Sequence, residues 1–434
     1  MPITYLKRAQ GTEPVDISST TRTVQDMLKR LEEQGESATR DYSRQLDSWD
    51  PESFVLNEEQ IAAAERSLPS TVKEDLDFAH RQVRAFADRQ RESMSEFEVE
   101  LHPGLITGQR NIPVNAAGCY VPGGRYAHVA SAAMSIATAK AAGVPHVVAC
   151  SPPRKGEGIH PATIYGMSLA GADTIMCLGG VQAVAAMAFG HFTGHRAAVL
   201  AGPGNQYVAE AKRLLFGRVG IDVVAGPTEA LVLADETADP WVVAVDLISQ
   251  AEHGLDSTTI LITTSRRIAE ETLALIPRAV DQLPAESVAA RAWESFGEVI
   301  VADTREEAAT LADEYANEHV EVHAADLDWW LQHLHNYGSL FLGEETTVSY
   351  GDKTSGPNHI LPTRGAAHYT GGLWVGKFIK TVTYQRMTRE ANAQIGRVAA
   401  RISRIEGMEG HALSGDVRLQ KYFPDEALET AVEG

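Results

Sequence analysis

Helix-like and strand-like segments alternate at short, regular spacing through the middle of the chain, and this alternation constrains the fold most strongly. After Tyr120 an Ala-rich helical run, ASAAMSIATAKAAGV, precedes the β-branched strand HVVAC. The next units, PATIYGMSLAGA with DTIMCLGG and VQAVAAMAFG with RAAVLAGPGN, repeat the pattern. Strands separated by helices of this length pair in parallel through crossover connections. The pattern therefore predicts a doubly wound, Rossmann-like α/β domain over residues 120–228.

A second alternating unit follows the first. Its strands, EALVLAD, STTILITTS and GEVIVAD, are separated by the helix WVVAVDLISQAEHG and a longer helix, and it extends to about Leu373. The charged region before Tyr120 has apolar residues at helical spacing, and we expect it to fold against this second unit. We predict an α/β fold of two Rossmann-like doubly wound domains with a helical N-terminal region and a C-terminal helical tail. The predicted divisions are an N-terminal tail (1–20), one domain (21–119 plus 229–373), the other domain (120–228) and an amphipathic helical tail that packs on a partner subunit (374–434).

Composition narrows the class of protein. The 434 residues carry a formal net charge of −20, which argues against a nucleic-acid surface because phosphate binding needs a basic field. No run approaches the roughly 18 apolar residues of a membrane span, and the N-terminus does not resemble a signal peptide. The three cysteines, Cys119, Cys150 and Cys177, form no CxxC pair and are expected to be small buried hydrophobes. We therefore expect a cytoplasmic protein with neither a nucleic-acid nor a membrane partner.

Two short segments carry side chains that are suited to chemistry. Gln250 and His253 are three residues apart in a predicted helix, so an amide oxygen and an imidazole face the same way and can bind a divalent metal. The alternative for a histidine at a helix end is a cap or a surface residue. Glu318 and His319 are adjacent and offer two bases that titrate near neutral pH in suitable surroundings. The alternative for this pair is a surface position without a role.

Three further segments are weaker signals. The loop Gly351–His359 is too rich in Gly, Asn and Pro for regular structure, and EGMEGH follows a predicted helix near the C-terminus. In RAAVLAGPGN, Gly202 and Gly204 allow a ligand to approach the backbone at a helix N-terminus, which favours phosphate. The third glycine of the dinucleotide fingerprint is replaced by Tyr207. A nucleotide site and a tight strand-to-helix turn both remain open.

Taken together, the motifs resemble those of the histidinol dehydrogenase family over about Thr21 to Leu419. The matching runs are YVPGGRYAHVASA, GGVQAVAAMAFG, AGPGNQYVAEAK, AGPTEALVLAD, DLISQAEHG, SGPNHILPT and EGMEGH, in this order. The resemblance implies an NAD-dependent enzyme with a catalytic Zn²⁺ that works as a homodimer with shared active sites. It implies the oxidation of an alcohol to a carboxylate through an aldehyde, with four electrons passing to two NAD in succession.

The resemblance also assigns roles to individual residues. Glu318 and His319 match the acid/base pair, and the NAD-site residues match Tyr120, Gln182 and Asn205. The implied zinc ligands are Gln250, His253, Asp352 and His411, the last reaching across from the partner subunit. The implied substrate contacts are Thr228, Gln250, His253, His319, Asp352, Glu406 and His411.

The sequence departs from the histidinol-oxidising members around the substrate. Those members have Pro where Asn317 stands and Ser where Thr228 stands, and the segment HYTGGLWVGKFIK is more basic here. These features resemble the sulfopropanediol dehydrogenase branch, which oxidises 2,3-dihydroxypropane-1-sulfonate to sulfolactate. A sulfonate needs cationic or N–H donors, and the candidates are Lys353, Lys377, Arg125 and His128. The alternative is oxidation of L-histidinol to L-histidine, which the retained Glu406 favours. A catalytically inactive scaffold is disfavoured because all the implied site residues are present.

Overall fold

The computed structural model describes residues 3–10, 18–123, 127–154, 156–224 and 226–425. The described chain forms two compact units: the first contains the residues up to Arg91 and Pro113–Phe378, and the second contains Glu92–Ile112 and the residues from Ile379 onward. The fold is mixed α/β with two largely parallel sheets and a small third sheet. The predicted α/β class is confirmed.

The strands are β1 (Thr4–Lys7), β2 (Phe97–His102), β3 (Leu105–Pro113), β4 (Ala116–Tyr120), β5 (His146–Ser151), β6 (Thr174–Cys177), β7 (Val199–Ala201), β8 (Gly220–Ile221), β9 (Glu229–Ala234), β10 (Thr258–Thr263), β11 (Glu298–Val301), β12 (His319–His323), β13 (Ser339–Leu342) and β14 (Ile379–Met387). The helices are α1 (Ser18–Gln34), α2 (Glu36–Asp47), α3 (Glu58–Ser67), α4 (Ser70–Glu92), α5 (Val129–Ala132), α6 (Thr138–Ala141), α7 (Pro161–Leu169), α8 (Gly180–Phe189), α9 (Gln206–Leu215), α10 (Pro240–Ala251), α11 (Arg266–Val280), α12 (Ala289–Phe296), α13 (Arg305–Tyr315), α14 (Leu327–His333), α15 (Val348–Lys353), α16 (Arg389–Ile405) and α17 (Glu409–Tyr422). A π-helical turn (Ala133–Ala137) joins α5 to α6, and 3₁₀ turns lie at Ala366–His368 and Val375–Phe378.

The first sheet of the first unit has the order β6-β5-β4-β7-β8, with every neighbouring pair parallel. Its strands are short, apolar runs because helices cover both of its faces. The chain proceeds from β4 outward to β6 and then returns to β7 on the other side of β4. The strand order therefore reverses between β4 and β7, and in open α/β sheets ligands bind in the crevice beyond such a reversal.

The N-terminal helices differ from the expectation, because they pack on this first sheet and not on the second. Val24 and Leu31 of α1 are fully buried in one core with the side chains of α8 and α9. Trp49 donates from its indole Nε1 to the carbonyl of Cys177 at the end of β6, 3.1 Å away. Helical spacing shows that a helix has an apolar face, but several exposed apolar surfaces can accept such a face. The choice of surface is therefore a tertiary property.

The second sheet has the order β1-β11-β10-β9-β12-β13. β1 pairs antiparallel with β11 at one edge, so part of the predicted N-terminal tail is a strand; the other pairs are parallel. Helices α10, α11 and α12 cover one face and α13 and α14 the other. On β12, Val320 and Val322 face the α13 side. Alternation along a strand therefore turns His319, Glu321 and His323 toward the α10 side.

The second unit contains a three-stranded sheet, β14-β3-β2, and the paired helices α16 and α17. The predicted all-helical tail differs here, because β14 occupies Ile379–Met387 before α16 begins. Thr388 caps α16 by accepting a hydrogen bond from the Ala391 N–H, at 3.2 Å. The run IKTVTYQRM is rich in β-branched and aromatic residues, which favour a strand. Its pairing with β3 makes that preference decisive.

Two simpler expectations concern the cysteines and the membrane. Cys119, Cys150 and Cys177 are free and buried, as expected. None of the described helices combines the length and the apolar character that crossing a membrane requires.

Candidate active site

Helix α10 brings two of the predicted metal ligands to one edge of the second sheet. Its last turn holds Gln250, which is 3% exposed and whose Oε1 has no hydrogen-bond partner. His253 follows the helix, and its Nδ1 lies 3.2 Å from the Gln250 carbonyl oxygen. Because a carbonyl only accepts, Nδ1 carries a ring proton, and in the neutral form of the ring Nε2 has a free lone pair. Gln250 Oε1 and His253 Nε2 can therefore each provide a lone pair to a metal ion.

Asp352, at the end of α15, completes this group within the first unit. Its Oδ2 lies 4.0 Å from His253 Nε2, and the residue is 9% exposed. Burial by itself raises the pKa of Asp352, but the neighbouring His359, His319 and Lys353 outweigh it and lower that pKa. An ionised carboxylate, a bare imidazole nitrogen and an unpartnered amide oxygen fit a divalent cation. The three side chains therefore suit the implied zinc.

Glu318 and His319 lie at the start of β12, directly after Ala316 takes a left-handed conformation with φ 49°. Their side chains are buried and adjacent, with Glu318 Oε2 3.6 Å from His319 Nε2. The backbone N–H of Glu229 donates to Glu318 Oε2 at 3.3 Å. Burial raises the pKa of Glu318 well above its usual value. Burial also lowers the pKa of His319 to about 4, so the imidazole is neutral at neutral pH and able to accept a proton.

These groups meet where the strands of the second sheet have their amino-terminal ends. His319 begins β12 and Glu318 immediately precedes it, and Thr228, partly buried, immediately precedes the neighbouring strand β9. Crossover helices run opposite to the strands, so the C-terminal end of α10 returns Gln250 and His253 to the same edge. Parallel sheets usually place ligands at the carboxyl ends of their strands. In the second sheet the candidate site residues instead lie at the amino-terminal ends of the strands.

The predicted NAD residues lie around the strand reversal of the first sheet. Tyr120 ends β4, and its hydroxyl accepts from the Gly180 N–H at 3.1 Å. Asn205 follows β7 and caps α9, accepting from two backbone N–H groups through Oδ1. Gln182, on α8, donates to Asp47 Oδ2 at 2.9 Å, and its own buried Oε1 has no hydrogen-bond partner. The reversal, the α9 N-terminus and this unpartnered oxygen fit a dinucleotide site.

The two glycines of the β7–α9 turn have packing reasons of their own. Gly202 has φ +117°, and a Cβ there would lie 2.0 Å from the Tyr120 carbonyl oxygen. A Cβ on Gly204 would lie 2.4 Å from Val208 Cγ1. Both are therefore required by the tight turn, whatever binds there. The NAD prediction depends on the surrounding side chains and on the strand order.

A buried ion pair holds this turn, and the sequence interpretation did not include it. Lys212 and Asp222 form a salt bridge, with their side chains 3% and 0% exposed. Lys212 Nζ donates to the Gly202 carbonyl at 2.8 Å, and Asp222 Oδ2 accepts from the Gly202 N–H at 2.7 Å. Lys212 and Asp222 therefore hydrogen-bond to the carbonyl and the N–H of the same glycine, respectively. A lone Lys and a lone Asp ten residues apart have no recognisable sequence signal.

His359 and Asn358 were also missed as individual residues, although their loop was singled out. His359 places Nδ1 2.9 Å from the Asp352 carbonyl and Nε2 3.0 Å from Ser131 Oγ. Asn358 Nδ2 donates to the Met134 carbonyl at 2.7 Å, inside the π-helical turn. A π-turn leaves carbonyls without their helical partner, and an external amide satisfies this one. The loop thus fastens Asp352 to the helix that follows Tyr120.

Two of the four residues proposed to bind the sulfonate, Lys353 and His128, lie close to the metal-binding candidates. Lys353 Nζ is 3.5 Å from Asp352 Oδ2, with a side chain that is 62% exposed. Partial burial lowers the pKa of His128, and so do the nearby His359, Lys353 and His253. Lys377 is partly buried in the 3₁₀ turn Val375–Phe378. Arg125 lies outside the described residues.

The remaining predicted residues, Glu406 and His411, belong to the second unit and are both exposed. Glu406 ends α16, and His411 lies in the first turn of α17. Exposed apolar side chains of the same unit surround these positions in the sequence. They are Val398, Ile402, Ile405, Met408, Leu413 and Val417.

The two largely parallel sheets, with the buried pair Glu318 and His319 and the unpartnered Gln250 Oε1 at the strand ends of one of them, are typical of an α/β enzyme. A family model described as histidinol dehydrogenase matches residues 11–419. The chain belongs to the histidinol dehydrogenase family.

Individual relatives narrow the comparison. A sulfopropanediol 3-dehydrogenase of Ruegeria pomeroyi is 54% identical, with all of both chains covered. A histidinol dehydrogenase homolog of the same organism is 56% identical over 98% of both chains. The crystal structure of the histidinol dehydrogenase of Elizabethkingia anophelis superposes with a TM-score of 0.88 and 32% identity, covering 95% of this chain and 94% of that one.

Proposed function

We propose that the protein is a zinc-dependent, NAD-linked dehydrogenase that oxidises a primary alcohol to a carboxylate through an aldehyde, with 2,3-dihydroxypropane-1-sulfonate as its substrate. The observation that carries the proposal is the buried, neutral His319 at the same edge as Gln250, His253 and Asp352. These groups combine a base with a cation-binding set, which is what removing a hydroxyl proton requires. Glu318 and the NAD residues Tyr120, Gln182 and Asn205 complete the assignment.

In this proposal each site residue has a separate chemical role. When bound, Zn²⁺ supplies a Lewis acid and NAD a hydride acceptor. Gln250, His253 and Asp352, together with the partner's His411, would hold the ion. His319 accepts the hydroxyl proton at one of its ring nitrogens while the carbon loses hydride, which yields the aldehyde. Glu318 then takes a proton from water as the water adds to the aldehyde, and a second hydride loss gives the carboxylate.

The sulfonate substrate is supported by charge and by similarity. Lys353 adds a cation beside Asp352, and an imidazole, His128, is nearby. A sulfonate accepts hydrogen bonds from such groups, whereas the ammonium group of histidinol is repelled by a cation. The relative named sulfopropanediol 3-dehydrogenase matches over the whole chain at 54% identity. These observations favour an anionic alcohol.

L-Histidinol, oxidised to L-histidine, is the second candidate. Glu406 is retained in this chain, and an exposed carboxylate suits a cationic substrate. The deciding experiment compares kcat/KM for dihydroxypropanesulfonate and for histidinol in the zinc-loaded protein, with NAD reduction as the signal. We expect the sulfonate to be preferred. A preference for histidinol contradicts the substrate proposal, and no turnover of either alcohol contradicts the enzyme proposal.

We also propose that the protein acts as a homodimer in the cytoplasm, with composite active sites. Apolar side chains are exposed on α16 and α17 beside the two predicted site residues, for example Ile405 at 71% and Leu413 at 59%. Exposed apolar surface of this kind is typical of a protein interface. Burial of this face against a partner would bring Glu406 and His411 to the partner's site.

A further inference from the structure

A second group of polar side chains in the first unit lies one turn earlier on α10 and further along β12 than the residues assigned above. Asp246, one turn before Gln250 on α10, faces Glu321 and His323 of β12. The three residues are 7%, 2% and 2% exposed, respectively. β12 lies between β9 and β13 inside a largely parallel sheet, where strands are normally apolar throughout. The run HVEVH instead places polar groups on the whole of its α10 face.

The donor atoms of this triad converge. His323 Nε2 lies 3.4 Å from Asp246 Oδ2 and 3.9 Å from Glu321 Oε2, and the three donor atoms are all within 4.8 Å of one another. Asp246 Oδ2 and both ring nitrogens of His323 are buried without a well-formed hydrogen bond. The inner side of the triad is therefore polar but incompletely satisfied.

The outer carboxylate oxygens are fixed by the start of α15. The Val348 N–H donates to Glu321 Oε1 at 2.6 Å, and the Thr347 hydroxyl donates to Asp246 Oδ1 at 3.1 Å. Each carboxylate thus has one oxygen held by α15 and one turned toward His323. Carboxylates that ligate metals are commonly oriented in this way by hydrogen bonds to their second oxygen.

Charge supplies the second requirement of a cation site. Two buried carboxylates without compensation are costly. Here both carboxylates face the same nitrogen, His323 Nε2, at 3.4 Å and 3.9 Å. A single proton on His323 would neutralise only one of the two carboxylates, whereas a divalent cation bound to a neutral imidazole would neutralise both.

We propose that Asp246, Glu321 and His323 form a second divalent transition-metal site, for which Zn²⁺ is the best match. One imidazole and two carboxylates are typical zinc donors, and Mg²⁺ or Ca²⁺ would prefer oxygen donors alone. The bound ion joins β12, α10 and α15, which carry the acid/base pair, Gln250 and Asp352. It has a structural role, and it does not depend on the proposed dehydrogenase activity.

Metal counting on purified, zinc-equilibrated and desalted full-length protein tests the proposal. We expect two Zn²⁺ per wild-type chain, and one in His253→Ala, which keeps the triad. His323→Ala should also retain one, and the double variant none. His333→Ala, at an exposed histidine on α14, is the matched control and should retain two. One Zn²⁺ in the wild type with none in His253→Ala overturns the proposal. The charges of the triad would then be neutralised by protons and not by a metal ion.

A second measurement covers the event that His323→Ala does not fold. Glu321→Gln keeps an oxygen that can accept from Val348 but removes the charge and a ligand. In the His253→Ala background, Zn²⁺ added to metal-free protein should raise Tm, and Glu321→Gln should abolish that rise. A rise of the same size with Glu321→Gln, or no rise in either protein, contradicts the site. If the triad binds metal and no alcohol is oxidised, only the proposed function fails.

Discussion

At the scale of single residues, burial shifts the pKa values of the adjacent Glu318 and His319 in opposite directions. Burial disfavours charge in both, so it raises the pKa of the carboxyl and lowers that of the imidazole to about 4. His319 is therefore neutral and able to accept a proton, and Glu318, once ionised, is a stronger base than an exposed carboxylate. Pairs whose pKa values are pushed apart in this way are typical of acid/base catalysis.

Substitution of the pair should separate the two half-reactions. His319→Asn should slow alcohol oxidation by roughly 10²- to 10⁴-fold, because a general base is lost. Glu318→Gln should leave that step nearly intact and slow the oxidation of added aldehyde. Both steps can be followed by NAD reduction in single turnovers. Aldehyde oxidation at the wild-type rate in Glu318→Gln contradicts the role given to Glu318.

The same pKa shifts set the expected pH dependence. Glu318 acts as a base only when ionised, and its raised pKa means that the ionised fraction grows as pH rises. His319 is already neutral above about pH 5, one unit above its pKa of about 4. The acid limb of kcat/KM should therefore lie at higher pH for aldehyde oxidation than for alcohol oxidation. Coincident limbs for the two substrates would show that one shared group controls both.

Lys353 provides a test of substrate charge. Lys353→Met should lower kcat/KM for the sulfonate about tenfold, since a hydrogen bond to a charged group contributes about 1.5–3 kcal/mol and an exposed one less. An uncharged diol should be little affected, and histidinol should react equally well or better. Lys29→Met, at an exposed position on α1, is the control. An equal loss for all three alcohols would indicate damage to Asp352 instead of a missing sulfonate contact.

At the scale of elements, the β7–α9 turn depends on a buried ion pair. Lys212 and Asp222 hold the N–H and the carbonyl of Gly202, and through it the position of Asn205 at the start of α9. The strand, the turn and the helix are each recognisable in the sequence. Their mutual placement depends on two charges that come from α9 and from the end of β8.

Removing one partner of this pair should be costly. Lys212→Met leaves Asp222 buried without its cation, which costs about 3–5 kcal/mol of folding free energy in comparable cases. The more exposed pair Lys140 and Asp173 is the control, and Lys140→Met should cost at most about 1 kcal/mol. Urea unfolding measures both. Where Lys212→Met is folded, KM for NAD should rise, and similar losses from the two variants would contradict the importance of the pair.

At the scale of the whole molecule, the central question is whether one chain contains a complete site. Glu406 and His411 lie on exposed helices of the second unit, among exposed apolar side chains. We expect a homodimer in which each chain supplies these residues to its partner. Such a dimer would also cover the apolar side chains of α16 and α17 that are exposed in a single chain.

Mixing two inactive chains tests the composite site. His253→Ala and His411→Ala should each be inactive alone, and their hybrid dimers should recover up to about a quarter of the wild-type activity, because random exchange makes half the dimers hybrid and restores one of their two sites. Verified subunit exchange without any recovery would mean that each chain completes its own site. His411→Ala mixed with itself is the control.

The sequence by itself determined the local properties of this protein. Apolar periodicity and Pro/Gly punctuation predicted the alternating elements of both sheets, because these depend on neighbours a few residues apart. Long matching segments predicted the family and named Glu318, His319, Gln250 and Asp352. The signal of HVEVH was present but was not recognised, since polar residues in a buried strand have meaning only when its burial is known.

Tertiary structure alone decided where these elements meet. Only the fold shows that α1 covers the first sheet, that 379–387 pairs as a strand, and that Glu318 and His319 lie at the amino-terminal end of β12. Distant segments are also joined by the Lys212–Asp222 ion pair, by the contact of His359 with the Asp352 carbonyl, and by the triad Asp246, Glu321 and His323. Side-chain burial, and with it each pKa shift and each unsatisfied donor atom, arises from contacts between such segments, and local sequence patterns contain no information about those contacts.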